Sequence, residues 1–159
     1  MKKFAIVLVI AASITACGGS GSENKESENK ESVSHEATEN GNPSYDPNRG
    51  EGKFTKVDLG DKLDATMAAD GQKIYGVKCS SCHKTTEEKL VGPGWKGVTV
   101  RHKPEWIMNF VTNTDAMLNK DPKAQAMLGI CLVRMPNQNL ADNEARSLLE
   151  FMRQNDGIK

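Results

Sequence analysis

Five residues constrain this chain more than any other feature: Cys79, Ser80, Ser81, Cys82 and His83. Two thiols separated by two residues and followed at once by an imidazole form the signature of covalent c-type haem attachment. The spacer brings both sulfurs to one edge of a porphyrin, where each thiol adds across one vinyl group. His83 then swings its ring under the iron as the proximal ligand. Two other chemistries use a Cys-x-x-Cys pair. A thioredoxin-like redox site wants a preceding strand and a parallel sheet, and zinc wants a second ligand pair. The sequence supplies neither, so the motif predicts a fold wrapped around one flat, largely apolar group.

The chain has four Cys, an even number that ordinarily reads as two disulfides in an exported protein. Export is indeed indicated. Lys2 and Lys3 precede an apolar run from Phe4 to Ala12 that ends in Ile14-Thr15-Ala16-Cys17, a charged start, a short greasy stretch and small residues at the cut. The run is too short to span a bilayer, which takes roughly 20 apolar residues. Its end resembles the lipobox of bacterial lipoproteins, with residues 1–16 as signal peptide and Cys17 as the lipidated first residue. With two thiols on haem and one on lipid, Cys131 is left over. The expectation is a free, buried thiol acting as a small hydrophobe; an intermolecular or regulatory thiol is the alternative.

Residues 17–53 read as the lipidated Cys plus a flexible acidic tether. Ser-Glu-Asn-Lys-Glu occurs twice in tandem, at 22–26 and 27–31, and little apolar surface is present to offset ordering entropy. A coil of this length reaches on the order of 30 Å, and His35 within it reads as solvated. The formal net charge of +0 conceals an uneven distribution: residues 18–53 hold eight acidic and four basic side chains, leaving 13 acidic and 15 basic in 54–159. So balanced a chain is an unlikely nucleic-acid partner. Only 37% of residues are hydrophobic and 5% aromatic, enough for one modest core and no second one.

A haem iron held by His83 needs a partner on its other face. The candidates are His102 and six Met residues, Met1 being removed with the signal. Met135 stands out because Pro136 follows it, in a stretch between helical patterns where a fixed φ stiffens the loop that presents the thioether. Met108, Met127 and Met152 sit at core spacing in helical patterns. His102 lies in the polar run Arg101-His102-Lys103 and reads as a surface residue at a helix entrance. Bis-His ligation through it is the alternative.

With Cys79-Ser80-Ser81-Cys82-His83 and Met135-Pro136 in place, the chain resembles a class I monohaem cytochrome c. The likeness covers about Ala65 to Asn155. It implies an all-α cytochrome c fold, with about four or five helices around one covalently attached haem, in a domain at 54–159. The first helix is expected over Ala65 to Lys78 and the last around Ala145, Leu148, Leu149 and Met152, with Gly71, Tyr75 and Phe151 at the crossing of the two. Leu140 reads as a hydrophobic staple. Ala141 stands where the family usually has a Ser or Thr cap, so capping falls to Asp142 or to water. Pro104 to Asn113 and Pro122 to Met127 read as two further helices, the second capped by Asp121.

The resemblance also implies a haem environment. In Val91-Gly92-Pro93 the Pro93 carbonyl is expected to accept from the proximal imidazole. Trp95, where a Leu is more common, and Trp106 are expected against the haem.

Ligation by His and Met closes both axial sites, which argues for electron transfer and against enzymatic chemistry. The expected role is a membrane-anchored shuttle on the periplasmic or extracytoplasmic side. It takes electrons from a quinol-oxidising complex and donates to a terminal oxidase or reductase. The run Cys-Leu-Val-Arg-Met-Pro and the closing helix are similar to lipoprotein cytochromes that accompany nitrous-oxide reductases. Lys78, Lys84 and Lys96 are the expected steering charges. The alternatives are a gas-binding or sensing haem protein with a labile distal Met, and a fixed subunit of a larger respiratory complex.

Overall fold

Two helices 14 residues long carry the architecture, and the backbone signals at their ends explain where they start and stop. The computed structural model describes residues 45–159; Cys17, the signal run and most of the tether lie outside them. Helix α1 (Ala65–Lys78) begins at Asp64, whose carboxylate accepts from the Met67 amide at 2.9 Å, satisfying one of the free first-turn donors. It ends where the amides of Cys79 and Ser80 both fall on the Tyr75 carbonyl, so the first thiol of the Cys-x-x-Cys pair sits at its C-terminus.

Helix α6 (Asp142–Asn155) crosses α1 and buries Ala145, Leu148, Leu149, Phe151 and Met152, the Leu, Phe and Met side chains each contributing roughly 1.5–3 kcal/mol. The crossing depends on Gly71, where a Cβ would lie 2.1 Å from the Ser147 carbonyl oxygen. At the start of α6 Ala141 has no side-chain acceptor. Glu144, not Asp142, supplies the cap, accepting from the Ala141 amide at 2.8 Å, which is the reverse arm of a capping box. Leu140 and Ala145, the staple positions, are both buried. On the same helix Glu150 is wholly buried between Arg146 and Arg153, at 2.5 and 2.7 Å.

Between these helices lie α2 (Val98–Arg101), α3 (Pro104–Thr112), α4 (Thr114–Lys120) and α5 (Pro122–Cys131). That makes six helices among the described residues, more than expected. The four-residue α2 and seven-residue α4 are too short for apolar periodicity to reveal. Helix α5 runs four residues beyond Met127 and ends only where Leu132 turns left-handed, at φ 60°. Its cap is the expected one, with Asp121 accepting from the Ala124 amide at 2.8 Å. Asp156 ties the far end of α6 to α2 through the amides of Gly97 and Thr99.

Residues 45–53, which composition assigns to the tether, are part of the folded unit. Tyr45 donates its hydroxyl to Asp121. Asn109, fully buried on α3, donates to the Arg49 and Phe54 carbonyls at 2.8 and 3.0 Å and accepts from the Phe54 amide at 2.9 Å. Backbone hydrogen bonds to one buried amide hold this polar strap where apolar burial cannot. Among the described residues no helix is long and apolar enough to cross a membrane.

Candidate haem site

The two-residue spacer of the Cys motif folds into a tight turn off the end of α1. The amides of Cys82 and His83 both donate to the Cys79 carbonyl, at 3.0 and 2.9 Å. The chain then runs out and returns, and the amides of Val91 and Gly92 donate to the Cys82 carbonyl, bringing Val91-Gly92-Pro93 alongside the motif. Tyr75, on α1, donates its hydroxyl to the His83 carbonyl at 2.7 Å, so helix, turn and returning loop are tied at one point.

That frame orients the imidazole. Nδ1 of His83 lies 2.9 Å from the Pro93 carbonyl, which makes Nδ1 the donor and leaves Nε2 as the nitrogen available to a metal. Burial lowers the pKa of His83, and the Pro93 hydrogen bond pulls against it; the ring is held neutral, the form that ligates. Gly92 sits against the ring so closely that a Cβ would lie 2.3 Å from its Cε1. Cys79 is buried; before it is joined to haem, burial chiefly pushes its thiol up to about 11, with Lys78 lowering it and Cys82 raising it. Cys79, Cys82 and Cys131 form no disulfide with one another.

His83 opens onto a cleft of two adjoining lobes that share His83, Pro93, Phe110, Met127 and Met135. Cys82, Val91, Leu128 and Cys131 belong to the first lobe; Trp95, Trp106, Ile107 and Met152 to the second. The structure therefore brings together Cys82, His83, Pro93, Trp95, Trp106 and Met135, with Cys79 one turn away. The cleft fits the group the motif implies. It is apolar, it has His83 and Met135 in both lobes, and a thiol stands at its wall. Among the described residues no cluster of three His, Cys, Asp or Glu side chains suits a metal ion, so zinc finds no second ligand pair.

Two expectations change here. Cys131 is half-buried rather than buried, because it is the last residue of α5 and faces the cleft. His102 is half-buried rather than exposed. Its ring stacks on Trp106, with centroids 4.0 Å apart and planes 15° from parallel, and it lines the second lobe. Trp106 stacks in turn on Phe110 at 5.0 Å. The four-residue spacing of His102, Trp106 and Phe110 was the available signal, masked by the charged neighbours of His102.

The family model described as cytochrome c matches residues 68–156. The chain belongs to the cytochrome c family. Its fold is the cytochrome c fold, and it is a haem electron-transfer protein with a covalently attached c-type haem. Among solved structures, cytochrome c from Rhodothermus marinus is 30% identical, with a TM-score of 0.64, covering 66% of this chain and 90% of that one. An engineered form of that cytochrome matches at the same identity and coverage with a TM-score of 0.63. A structure of the engineered form described as bound to a carbene intermediate matches with a TM-score of 0.60. No curated protein sequence matches the chain.

Proposed function

We propose that this cytochrome is lipid-anchored through Cys17 on the extracytoplasmic side of a bacterial membrane. There it carries single electrons between respiratory complexes, with His83 and Met135 as the axial ligands. The observation that carries this reading is the shared lining of the two lobes, which puts a neutral imidazole and a loop thioether on the same cleft. When bound, a haem would supply one-electron chemistry here. The chain's own residues hold and orient it. Cys79 and Cys82 fix one edge, and Pro93 holds the His83 ring and strengthens it as a donor. Trp95, Trp106, Ile107 and Phe110 exclude water, and Pro136 stiffens the loop presenting Met135. With His83 and Met135 both holding the iron, no open position would remain for substrate, which favours an electron carrier over an enzyme.

Met127 and Met152 also reach the cleft. Met135 is favoured because Met127 and Met152 belong to helices α5 and α6, whereas Met135 stands on a loop beside Pro136.

The partner surface is the rim of the first lobe. Of the three lysines proposed to steer partners, Lys78 donates to the Gln138 carbonyl, Lys84 pairs with Glu88 at 2.7 Å, and Lys96 donates to the Asn155 carbonyl. Arg134 is paired with Asp115. The rim instead exposes Ile130, Leu132 and Val133, which favours an apolar contact with weak steering. Anchoring through Cys17 raises encounter frequency with complexes in the same membrane. The donor is a quinol-oxidising complex, and the acceptor a terminal oxidase or a reductase of the nitrous-oxide-reducing kind.

The test is reconstitution. Membrane-extracted protein should carry acyl chains on Cys17 by mass spectrometry. Purified cytochrome should be reduced by a quinol-oxidising complex and reoxidised by one of the two acceptors. An unlipidated protein, or one that neither complex turns over, contradicts the proposal.

A further inference from the structure

Helices α3, α4 and α5 form one wall of the haem cleft: Trp106, Ile107 and Phe110 come from α3, Leu118 from α4, and Ala124 and Met127 from α5. Helices α1 and α6 pack closely on each other and α3 rests on α6, but α5 packs on α4 and α4 on α3. The wall is thus a series of short helices secured to the long pair chiefly through its first member. A unit with so few ties to the core opens more readily than the core does.

The strap at 45–53, which lies ahead of the family-matched residues 68–156, bonds to each of the three helices. Asn109 on α3 donates to the Arg49 carbonyl at 2.8 Å. On α4 the Met117 sulfur accepts from the Glu51 amide at 3.0 Å, and Lys120 pairs with the Glu51 carboxylate at 3.2 Å. On α5 Lys123 donates to the Pro47 carbonyl at 2.7 Å. The wholly buried carboxylate of Asp121 gathers these elements: Oδ1 accepts from the Ala124 amide, and Oδ2 from both the Tyr45 hydroxyl and Nε1 of Trp106, the latter at 3.0 Å. Trp106 stacks between His102 and Phe110, so this bond sets the aromatic row along the cleft. The fit is close, since a Cβ at Gly50 would lie 2.5 Å from Met117 Cε and 3.0 Å from Asp121 Oδ2.

We propose that Tyr45 is a positioning residue of the haem site: by holding Asp121 it keeps Trp106 and the α3–α5 wall closed, and the strap thereby sets how readily the cleft opens to an outside ligand of the iron. Without the phenol, Oδ2 of a buried carboxylate loses one of its two donors while the wall is closed. Water can replace that donor only when the wall opens, so the open form gains population. The inference rests on haem occupying the cleft, and its first readout does not depend on which residue is the distal ligand.

The experiment compares full-length native holoprotein with Tyr45→Phe, Gly50→Ala and Asp64→Ala, the last removing the cap of α1, outside the wall and the strap. Hydrogen–deuterium exchange at Nε1 of Trp106, followed by NMR in the ferrous protein, reads opening of the wall. The rate of carbon monoxide binding to the ferrous protein reads access to the iron. Both should be about twofold to fivefold faster in Y45F, the cost of one hydrogen bond, and at least tenfold faster in G50A. D64A should lower the urea midpoint and leave both rates unchanged. Equal rates in native protein and Y45F overturn the proposal, as does faster exchange without faster binding. The same acceleration in D64A also overturns it, because the opening would then be global. Should G50A fail to fold, Y45F and D64A decide. Native protein that binds carbon monoxide at once contradicts ligation by Met135 rather than the strap, and indole exchange then decides the strap. A sample without covalent haem by mass overturns the haem reading itself.

Discussion

Nδ1 of His83 and the carbonyl of Pro93 meet at 2.9 Å across a turn with no room for a side chain at residue 92. Orientation of the proximal ring and the absence of a Cβ at Gly92 are therefore one requirement. A Cβ 2.3 Å from the ring has to displace either the imidazole or the loop that fixes it. Gly92→Ala is expected to lose about 1–3 kcal/mol of stability, measured by denaturant unfolding of the holoprotein. Its potential should shift as well, because the hydrogen bond that tunes His83 lengthens.

The helix crossing makes a paired prediction within α1. At Gly71 a Cβ meets the Ser147 carbonyl oxygen at 2.1 Å and the Phe151 Cβ at 2.9 Å, whereas at Gly76 it meets nothing within 4 Å. Gly71→Ala should destabilise by about 2 kcal/mol or more, since helix backbone has to move. Gly76→Ala should stabilise by roughly 0.5–1 kcal/mol through helix propensity. Thermal or urea unfolding of the two variants reads opposite signs.

The strap gives a pH dependence. Burial, and then the hydrogen bond and charge of Asp121, raise the pKa of Tyr45 above its ordinary 10.0. The folded state thus holds the phenol proton more tightly than the unfolded chain does. The stabilisation from this bond is complete below pH 10.0 and is lost as pH climbs above it. Tyr45→Phe should cost about 0.5–1 kcal/mol at neutral pH, and the difference from the native protein should shrink in alkaline solution. Urea midpoints at the two pH values check it.

These cases also show what could be read from the chain alone. The Cys79–His83 motif and the two long helices were legible because each is specified locally, by spacing, periodicity or a cap. The strap was not, since the amide that holds it, Asn109, lies 55 to 60 positions from its partners. Its polar composition argued for disorder, and backbone hydrogen bonding overrode that. Helix α4 eluded periodicity because seven residues make barely two turns. His102 was hidden by Arg101 and Lys103, although its four-residue spacing to Trp106 placed it on the aromatic row.

The apolar rim predicts how partners respond to salt. Leu132 is 85% exposed at φ 60°, a conformation that costs a branched residue about 1–2 kcal/mol. Leu132→Gly should relieve that strain and raise stability by about 1 kcal/mol. The same change should slow electron exchange with the acceptor complex by removing contact area. The native exchange rate should vary only about threefold between low and high ionic strength, because Lys84 and Arg134 are already paired with carboxylates and the contact is largely apolar. Stopped-flow kinetics across a salt series measures both effects.

The central claim is that His83 and Met135 close both faces of the iron, and ligand spectroscopy of the holoprotein tests it most directly. The ferric native protein should be low-spin with the weak red charge-transfer band of a Met sulfur on iron, and the ferrous protein should not bind carbon monoxide readily. Met135→Leu should abolish the band and open the iron to carbon monoxide, while Met127→Leu leaves both unchanged. A high-spin native ferric spectrum with rapid carbon monoxide binding, or loss of the band in M127L and not in M135L, would contradict the account.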